Sequence, residues 1–175
     1  MTMIITLAVA AIVVYLVFFV FFPLGRGAIY DPSTQEESRV MAEVADVQPG
    51  DRAVDLGSGD GRVVIALALR GAEAHGFEVN PILVAVSRRK IREQGLEGKA
   101  FIHWGSFWNK DLSRFDLITV FQVGFIMLRL ENKLRKELKQ GAKIVSHYWR
   151  FPGLIPERSK GTIYRYVISP RERAS

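Results

Sequence analysis

The sequence predicts an α/β domain with a doubly wound, mostly parallel sheet, placed behind one apolar N-terminal helix. Three observations predict it. Apolar stretches of strand length alternate with amphipathic stretches of helix length from residue 33 onward. A glycine-rich loop joins the first strand to the helix after it. Residues 3–22 contain no charged side chain, whereas the chain from Pro23 on carries all 24 Lys and Arg and all 18 Asp and Glu.

Twenty uncharged, mostly aliphatic and aromatic residues at 3–22 are enough to cross a bilayer as a helix. No basic residue precedes the run, and Phe21-Phe22-Pro23 is a poor cleavage site, so a signal peptide is disfavoured. Residues 1–25 are therefore expected to be a transmembrane anchor and residues 26–175 one domain. Arg26 and Arg39 follow the span and no Lys or Arg precedes it, which favours a single-pass protein with its domain on the cytoplasmic side. The chain has no cysteine, which excludes disulfides, zinc–thiolate sites and cysteine nucleophiles. Its net charge of +6 suits a lipid surface beside such a span better than nucleic acid. The basic clusters at Arg88, Arg89, Lys90 and Arg92 and at Lys133, Arg135, Lys136 and Lys139 read as solvated helix faces.

The elements follow in order. Ser33-Thr34-Gln35-Glu36 fits a capping box and starts a helix with Val40, Met41, Val44 and Val47 on its apolar face. Strands are expected at 52–56, 74–78, 100–103, 117–123, 143–149 and 162–168. Helices are expected at 62–70, at 81–94 with Ile82, Leu83, Val86 and Ile91 inward, and at 126–138. Strands that alternate with helices imply a parallel sheet covered on both faces, and right-handed crossovers make it doubly wound.

The most informative stretch is Ala53-Val54-Asp55-Leu56-Gly57-Ser58-Gly59-Asp60-Gly61-Arg62, at the first crossover. Ligands of open α/β sheets bind there, beyond the carboxyl ends of the strands. A dinucleotide fingerprint spaces its glycines G-x-G-x-x-G and sets a diphosphate on a helix N-terminus. Here Gly57, Gly59 and Gly61 close one residue sooner, and Asp55 stands two positions upstream. A carboxylate there repels a diphosphate but suits the cationic amino group of S-adenosylmethionine; Asp60 adds to the mismatch with phosphate. Glu78 ends the second strand, where an acid can accept both hydroxyls of a ribose.

These residues resemble class I S-adenosylmethionine-dependent methyltransferases, whose fold is Rossmann-like. The closer resemblance is to the small membrane-anchored protein lysine methyltransferases that act on the adenine nucleotide translocase and the ATP synthase c-subunit. Tyr30-Asp31-Pro32-Ser33 resembles that family's Tyr-x-Pro-Ser/Thr element after the anchor. DLGSGDGRVVI from Asp55 resembles its cofactor loop, and Gly76-Phe77-Glu78-Val79-Asn80-Pro81 its G-x-E-x-N-P. Phe121-Gln122-Val123-Gly124 and Leu130-Glu131-Asn132-Lys133-Leu134 resemble its post-strand loop and helix. The chain departs from broader patterns in three places. Gly105-Ser106 stands where many class I enzymes put an adenine-binding Asp, and Gln122-Val123-Gly124 replaces an Asn/Asp-Pro-Pro-Tyr element. The short connection after the fifth strand implies an antiparallel edge reduced to one strand.

The resemblance implies a methyltransferase that acts on a lysine of a membrane protein or another membrane-bound acceptor, in a mitochondrial membrane if the source is eukaryotic. Expected cofactor-binding residues are Asp55, Gly57, Ser58, Gly59, Gly61, Glu78, Asn80 and Ser106. Methyl transfer demands alignment of an uncharged amine, and Tyr30, Asp31 and Gln122 are the candidates to hold or deprotonate it. His147, Tyr148 and Trp149 could line the acceptor side but read more readily as aromatic packing at a sheet end, and the three histidines lack metal-ligand spacing. The competing readings are a small-molecule or lipid acceptor such as a quinone or phospholipid amine, a non-catalytic cofactor-binding module and, more distantly, a dehydrogenase.

Overall fold

The computed structural model describes residues 34–169 together with Thr6. The rest of the expected span at 3–22, and Tyr30 and Asp31, lie outside those residues. Among the described residues no helix is long and apolar enough to cross a membrane.

Helix α1 (Gln35–Val44) opens on a reciprocal box: the Glu37 amide donates to Thr34 Oγ1 at 3.1 Å, and the Thr34 amide donates back to the Glu37 carboxylate. The box sits one residue later than the sequence suggested, because consecutive acids at Glu36 and Glu37 satisfy the pattern in either register. Strand β1 (Arg52–Leu56), helix α2 (Arg62–Ala68), strand β2 (Glu73–Glu78), helix α3 (Pro81–Glu93) and strand β3 (Ala100–Trp104) follow. The second half comprises β4 (Leu117–Val120), α4 (Met127–Glu137), β5 (Lys143–His147), β6 (Arg158–Lys160) and β7 (Ile163–Val167).

The strands form one seven-stranded sheet in the order β3-β2-β1-β4-β5-β7-β6. Strands β1 to β5 run parallel, β7 is antiparallel to β5, and β6 is antiparallel to β7. One face carries α1, α2 and α3 over a core that includes Met41, Val64, Leu67 and Ile91. The other carries α4 and the segment before β4, with Phe115, Leu130, Leu134 and Tyr166 buried there. Strand order reverses between β1 and β4, which opens the crevice where such sheets bind ligands.

The antiparallel edge is complete, not reduced to one strand. Arg158–Lys160 pairs with β7 through a two-residue Gly161-Thr162 turn, in which Gly161 takes φ +59°. A glycine in the first central position is the signal of a tight hairpin, and β6 is fully exposed, so no apolar pattern marked it.

Helix α3 buries Ile91 as expected but is rotated at its start, where Leu83 is only partly buried. Val84, Ser87 and Ile91 are buried, while Ile82 and Val86 are exposed. The glycine loop sets this rotation: a Cβ on Gly61 would lie 2.6 Å from Ser87 Cβ, so the contact needs a glycine facing a small side chain. Two strands also stop short of their expected ends. The chain leaves β4 before Gln122, whose amide binds β1. It leaves β5 at His147 because Tyr148 adopts φ +68°, and the Trp149 amide donates across it to the His147 carbonyl at 2.9 Å. That γ-turn is rare and strained for a non-glycine residue.

Candidate active site

The site is built where β1, β2 and β4 end. Register pairs Asp55 of β1 with Thr119 of β4, and the Thr119 hydroxyl donates to Asp55 Oδ1 at 2.7 Å. Asp55 is only 4% exposed. Burial pushes its carboxyl up to about 7; the Thr119 hydrogen bond opposes this and the neighbouring Glu78 charge reinforces it. A carboxyl held this way gains from a cation brought against it.

Gly57 turns the chain away from β1 with φ +91°. A Cβ there would lie 2.2 Å from Gln122 Nε2, which donates instead to the Leu56 carbonyl at 2.8 Å. The expected cofactor loop and the expected acceptor residue therefore meet at one point. Gln122 is buried and stapled to the strand that carries Asp55.

The loop's backbone donors are committed internally. The amides of Gly57 and Ser58 both donate to the Phe77 carbonyl at 3.0 Å, and that of Gly61 donates to the Ser58 carbonyl at 2.8 Å. The Gly59 amide donates to Glu78 Oε2 at 2.9 Å. A diphosphate needs such donors pointing outward; this loop turns them inward. Glu78 is buried at the end of β2, and its Oε1 accepts the Asn80 amide at 2.7 Å. Asn80 caps α3, accepting from the amides of Ile82 and Leu83, and so fixes the rotamer of Glu78 through the backbone.

The other expected residues hold different places. The Ser58 side chain is turned against β2, where a Cβ on Gly76 would lie 2.6 Å from it. Gly61 is the close-approach point against α3. Ser106 accepts the Trp108 amide at 3.3 Å and caps the short helical turn Phe107–Asn109. The preceding Gly105 amide donates to the Glu78 carbonyl at 2.8 Å, which keeps Ser106 beside the end of β2.

Asp60 is not the bare anion that the sequence suggested. Arg62 Nε lies 2.8 Å and Lys90 Nζ 2.6 Å from its carboxylate. Burial alone would raise its pKa, but these two cations outweigh that and hold it at about 2. The basic cluster on α3 is thus partly structural, because Arg88 also donates to the Ile102 carbonyl. The mismatch with phosphate rests instead on Asp55, Glu78 and the inward amides.

Three contributors were not among the expected site residues, although Gly76 and Gly124 stand in motifs quoted from the sequence. Thr119 carries no motif and is found only through strand register. Gly76 is needed to seat Ser58. Gly124 faces the Trp149 indole, which would lie 2.8 Å from a Cβ. His147 is buried with its ring 4.6 Å from that of Phe121, and Tyr148 and Trp149 are exposed beside it. Glu37, at the N-terminal cap of α1, lies 3.6 Å from His147 Nε2, so α1 begins beside the end of β5. His75 and His103 are strand residues facing each other at 2.9 Å.

Strand order and site together define a class I S-adenosylmethionine-dependent methyltransferase domain, and S-adenosylmethionine is its cofactor. The chain belongs to the family described as the ANTKMT methyltransferase domain, whose pattern matches residues 55–158. It is 34% identical over 142 residues to the lysine N-methyltransferase of the ATP synthase c-subunit from Homo sapiens, a match covering 79% of this chain and 60% of that protein. It is also 34% identical over 149 residues to a protein-lysine N-methyltransferase of Saccharolobus islandicus, covering 79% of this chain and 92% of that one. The match spans 49–60% of the length of the mammalian relatives. Among solved structures, an RNA methyltransferase from Salinibacter ruber in complex with S-adenosyl-L-homocysteine superposes with TM-score 0.77 at 31% identity, covering 80% of this chain and 95% of that one.

Two outcomes follow. The raised Asp55 pKa contributes stability in the protonated form; that contribution is complete below about pH 4 and lost as pH rises through about 7. Asp55→Asn keeps an acceptor for Thr119 without the charge. In denaturant melts of the ligand-free protein, the variant should gain on wild type by on the order of a few kcal/mol between pH 4 and 7. Parallel profiles would contradict the assignment. Gly57→Ala should lose about 1–3 kcal/mol from its positive φ and its collision with Gln122. Adding Gln122→Ala should recover only part, because φ stays strained.

Proposed function

We propose that the protein is a membrane-anchored protein-lysine N-methyltransferase whose acceptor is a lysine of a membrane-associated protein. The observation that carries this reading is the junction of Asp55, Gly57 and Gln122, which sets an acceptor-side amide against the cofactor loop.

S-adenosylmethionine supplies an electrophilic methyl group. Asp55 would face its ammonium, Glu78 its ribose hydroxyls, and Ser106 the adenine side, with Gly57 and Gly59 keeping the loop thin enough for close approach. The remaining work is to present an uncharged amine in line. Gln122 Nε2 is fixed on the Leu56 carbonyl, so its carbonyl oxygen is the natural acceptor for an amine N–H. The half-buried Phe121 ring and the partly exposed Trp149 indole, on either side of Gln122 and Gly124, would lend apolar surroundings that lower a lysine pKa. Tyr30 and Asp31 precede the α1 cap, which lies beside the end of β5, and they are the proposed groups to take the proton.

Support for the acceptor class comes from the lysine methyltransferase relatives, one of them matched over 92% of its length. The named substrate of the human relative, the ATP synthase c-subunit, is a membrane protein, and residues 3–22 would hold this domain at a bilayer. The Salinibacter ruber neighbour makes an RNA acceptor the second reading. Against it, Arg88 and Lys90 of the strongest basic cluster are already engaged.

Native membranes incubated with the full chain and methyl-labelled S-adenosylmethionine should carry label in protein, recovered as methyl-lysine after hydrolysis. Removing residues 1–25 should preserve cofactor binding yet cut labelling on the order of ten-fold or more. Label confined to RNA or to the organic extract would replace this reading.

A further inference from the structure

Large apolar side chains left exposed on this domain are not scattered. Of the nine exposed among the described residues, Ile82, Trp104, Phe125, Leu128, Tyr148 and Trp149 all lie at the carboxyl ends of the parallel strands or in the first turn after them. Of the other three, Val86 lies within α3, Leu69 follows α2 at the opposite end of the sheet, and Ile155 precedes β6, whose first residue is level with the middle of β5. Phe125 is 76%, Trp104 68% and Tyr148 60% exposed, which is costly in water without a partner.

We infer that this rim is a bilayer contact, so that the domain rests on the membrane with its active-site mouth toward the lipid. The occupant is a phospholipid surface, for three reasons. First, the rim is rich in Trp, Tyr and Phe, which favour the headgroup level. Second, exposed arginines stand at the same end. Arg129 lies 4.3 Å over the Trp108 ring and Arg150 4.5 Å over the Tyr164 ring, which suits lipid phosphate beside an aromatic belt. The whole chain carries +6. Third, the uncharged run at 3–22 is joined to Thr34 by residues 23–33, at most about 40 Å of chain. Thr34 starts α1 beside His147, at this same end of the sheet. A tether that enters at the apolar rim keeps that rim near the surface, and the aromatic and cationic side chains there set which end meets it.

The inference rests on the membrane attachment proposed above and adds an orientation to it. An acceptor lysine would then be met at headgroup depth, which restricts substrates to residues near the lipid plane.

Tryptophan fluorescence isolates the question, because the chain's three Trp residues are 104, 108 and 149 and none lies in 3–22. The full chain is reconstituted in phosphatidylcholine–phosphatidylglycerol vesicles, with or without bromine placed high on the acyl chains. Double Trp→Phe variants keep one reporter each, and S-adenosylmethionine binding checks that each is folded. If a pair fails to fold, the unsubstituted chain gives the summed signal.

Trp149 and Trp104 should be quenched roughly two-fold or more, with half-buried Trp108 much less affected, at any protein-to-lipid ratio. In Phe125→Glu/Leu128→Glu, quenching of Trp149 should drop while flotation with vesicles persists. Protein that floats with no quenching of Trp149 or Trp104 overturns the inference and leaves attachment intact. Emission that shifts with protein density in unbrominated vesicles overturns it in favour of a second copy covering the rim. Failure to float overturns attachment and orientation together.

Discussion

The site depends on one buried carboxyl. Asp55 sits in the last turn of pleat before the crevice, paired in register with Thr119 and nearly sealed from water. Its position is a consequence of the β1–β4 pairing, which exists only because the sheet reverses its order there. The ligand-free domain holds a group that burial discourages from ionising. Such a group is a poor contribution to the fold at neutral pH and a good one to binding a cation. Gly57 and Gln122 complete the same corner: the first has no side chain where Gln122 Nε2 comes in, and the second, just past β4, is bound to the Leu56 carbonyl beside the carboxyl.

That corner also explains why the loop belongs to a different chemistry from the dinucleotide folds it superficially resembles. A helix N-terminus with outward amides collects phosphate. Here the Phe77 carbonyl and the Glu78 carboxylate collect the amides instead, drawing the loop onto β2. Glu78 thereby has two duties. It shapes the loop through Gly59 and is itself oriented by Asn80. Asp60, which reads as a third acid in the motif, is a structural pivot between Arg62 and Lys90 and ties the loop to α3.

Sequence carried the architecture well and the site in part. Asp55, the glycine spacing and Glu78 were legible because backbone freedom and ligand charge leave a local signature. Asn80-Pro81 announced the start of α3 for the same reason. Three kinds of feature were hidden. The inward face of α3 follows from a contact 26 residues away in sequence, Gly61 on Ser87, which periodicity does not encode. Thr119 matters only because register sets it opposite Asp55. The exposed β6 has no apolar alternation, and only Gly161 hinted at its turn. Of the two readings open for the aromatic residues after β5, packing or an acceptor-side lining, the exposure of Tyr148 and Trp149 behind a strained turn favours the second.

The reading of cofactor, acceptor and membrane face thus converges on the end of the sheet where Asp55 lies, and the most direct test asks what that carboxyl recognises. Calorimetric titration should compare S-adenosylhomocysteine, which carries the amino-acid head, with methylthioadenosine, which has the same nucleoside and thioether without it. The account predicts tighter binding of the first by on the order of 100-fold at pH 8, with most of that difference abolished in Asp55→Asn. Equal affinities, or a difference unchanged by the substitution, would contradict it.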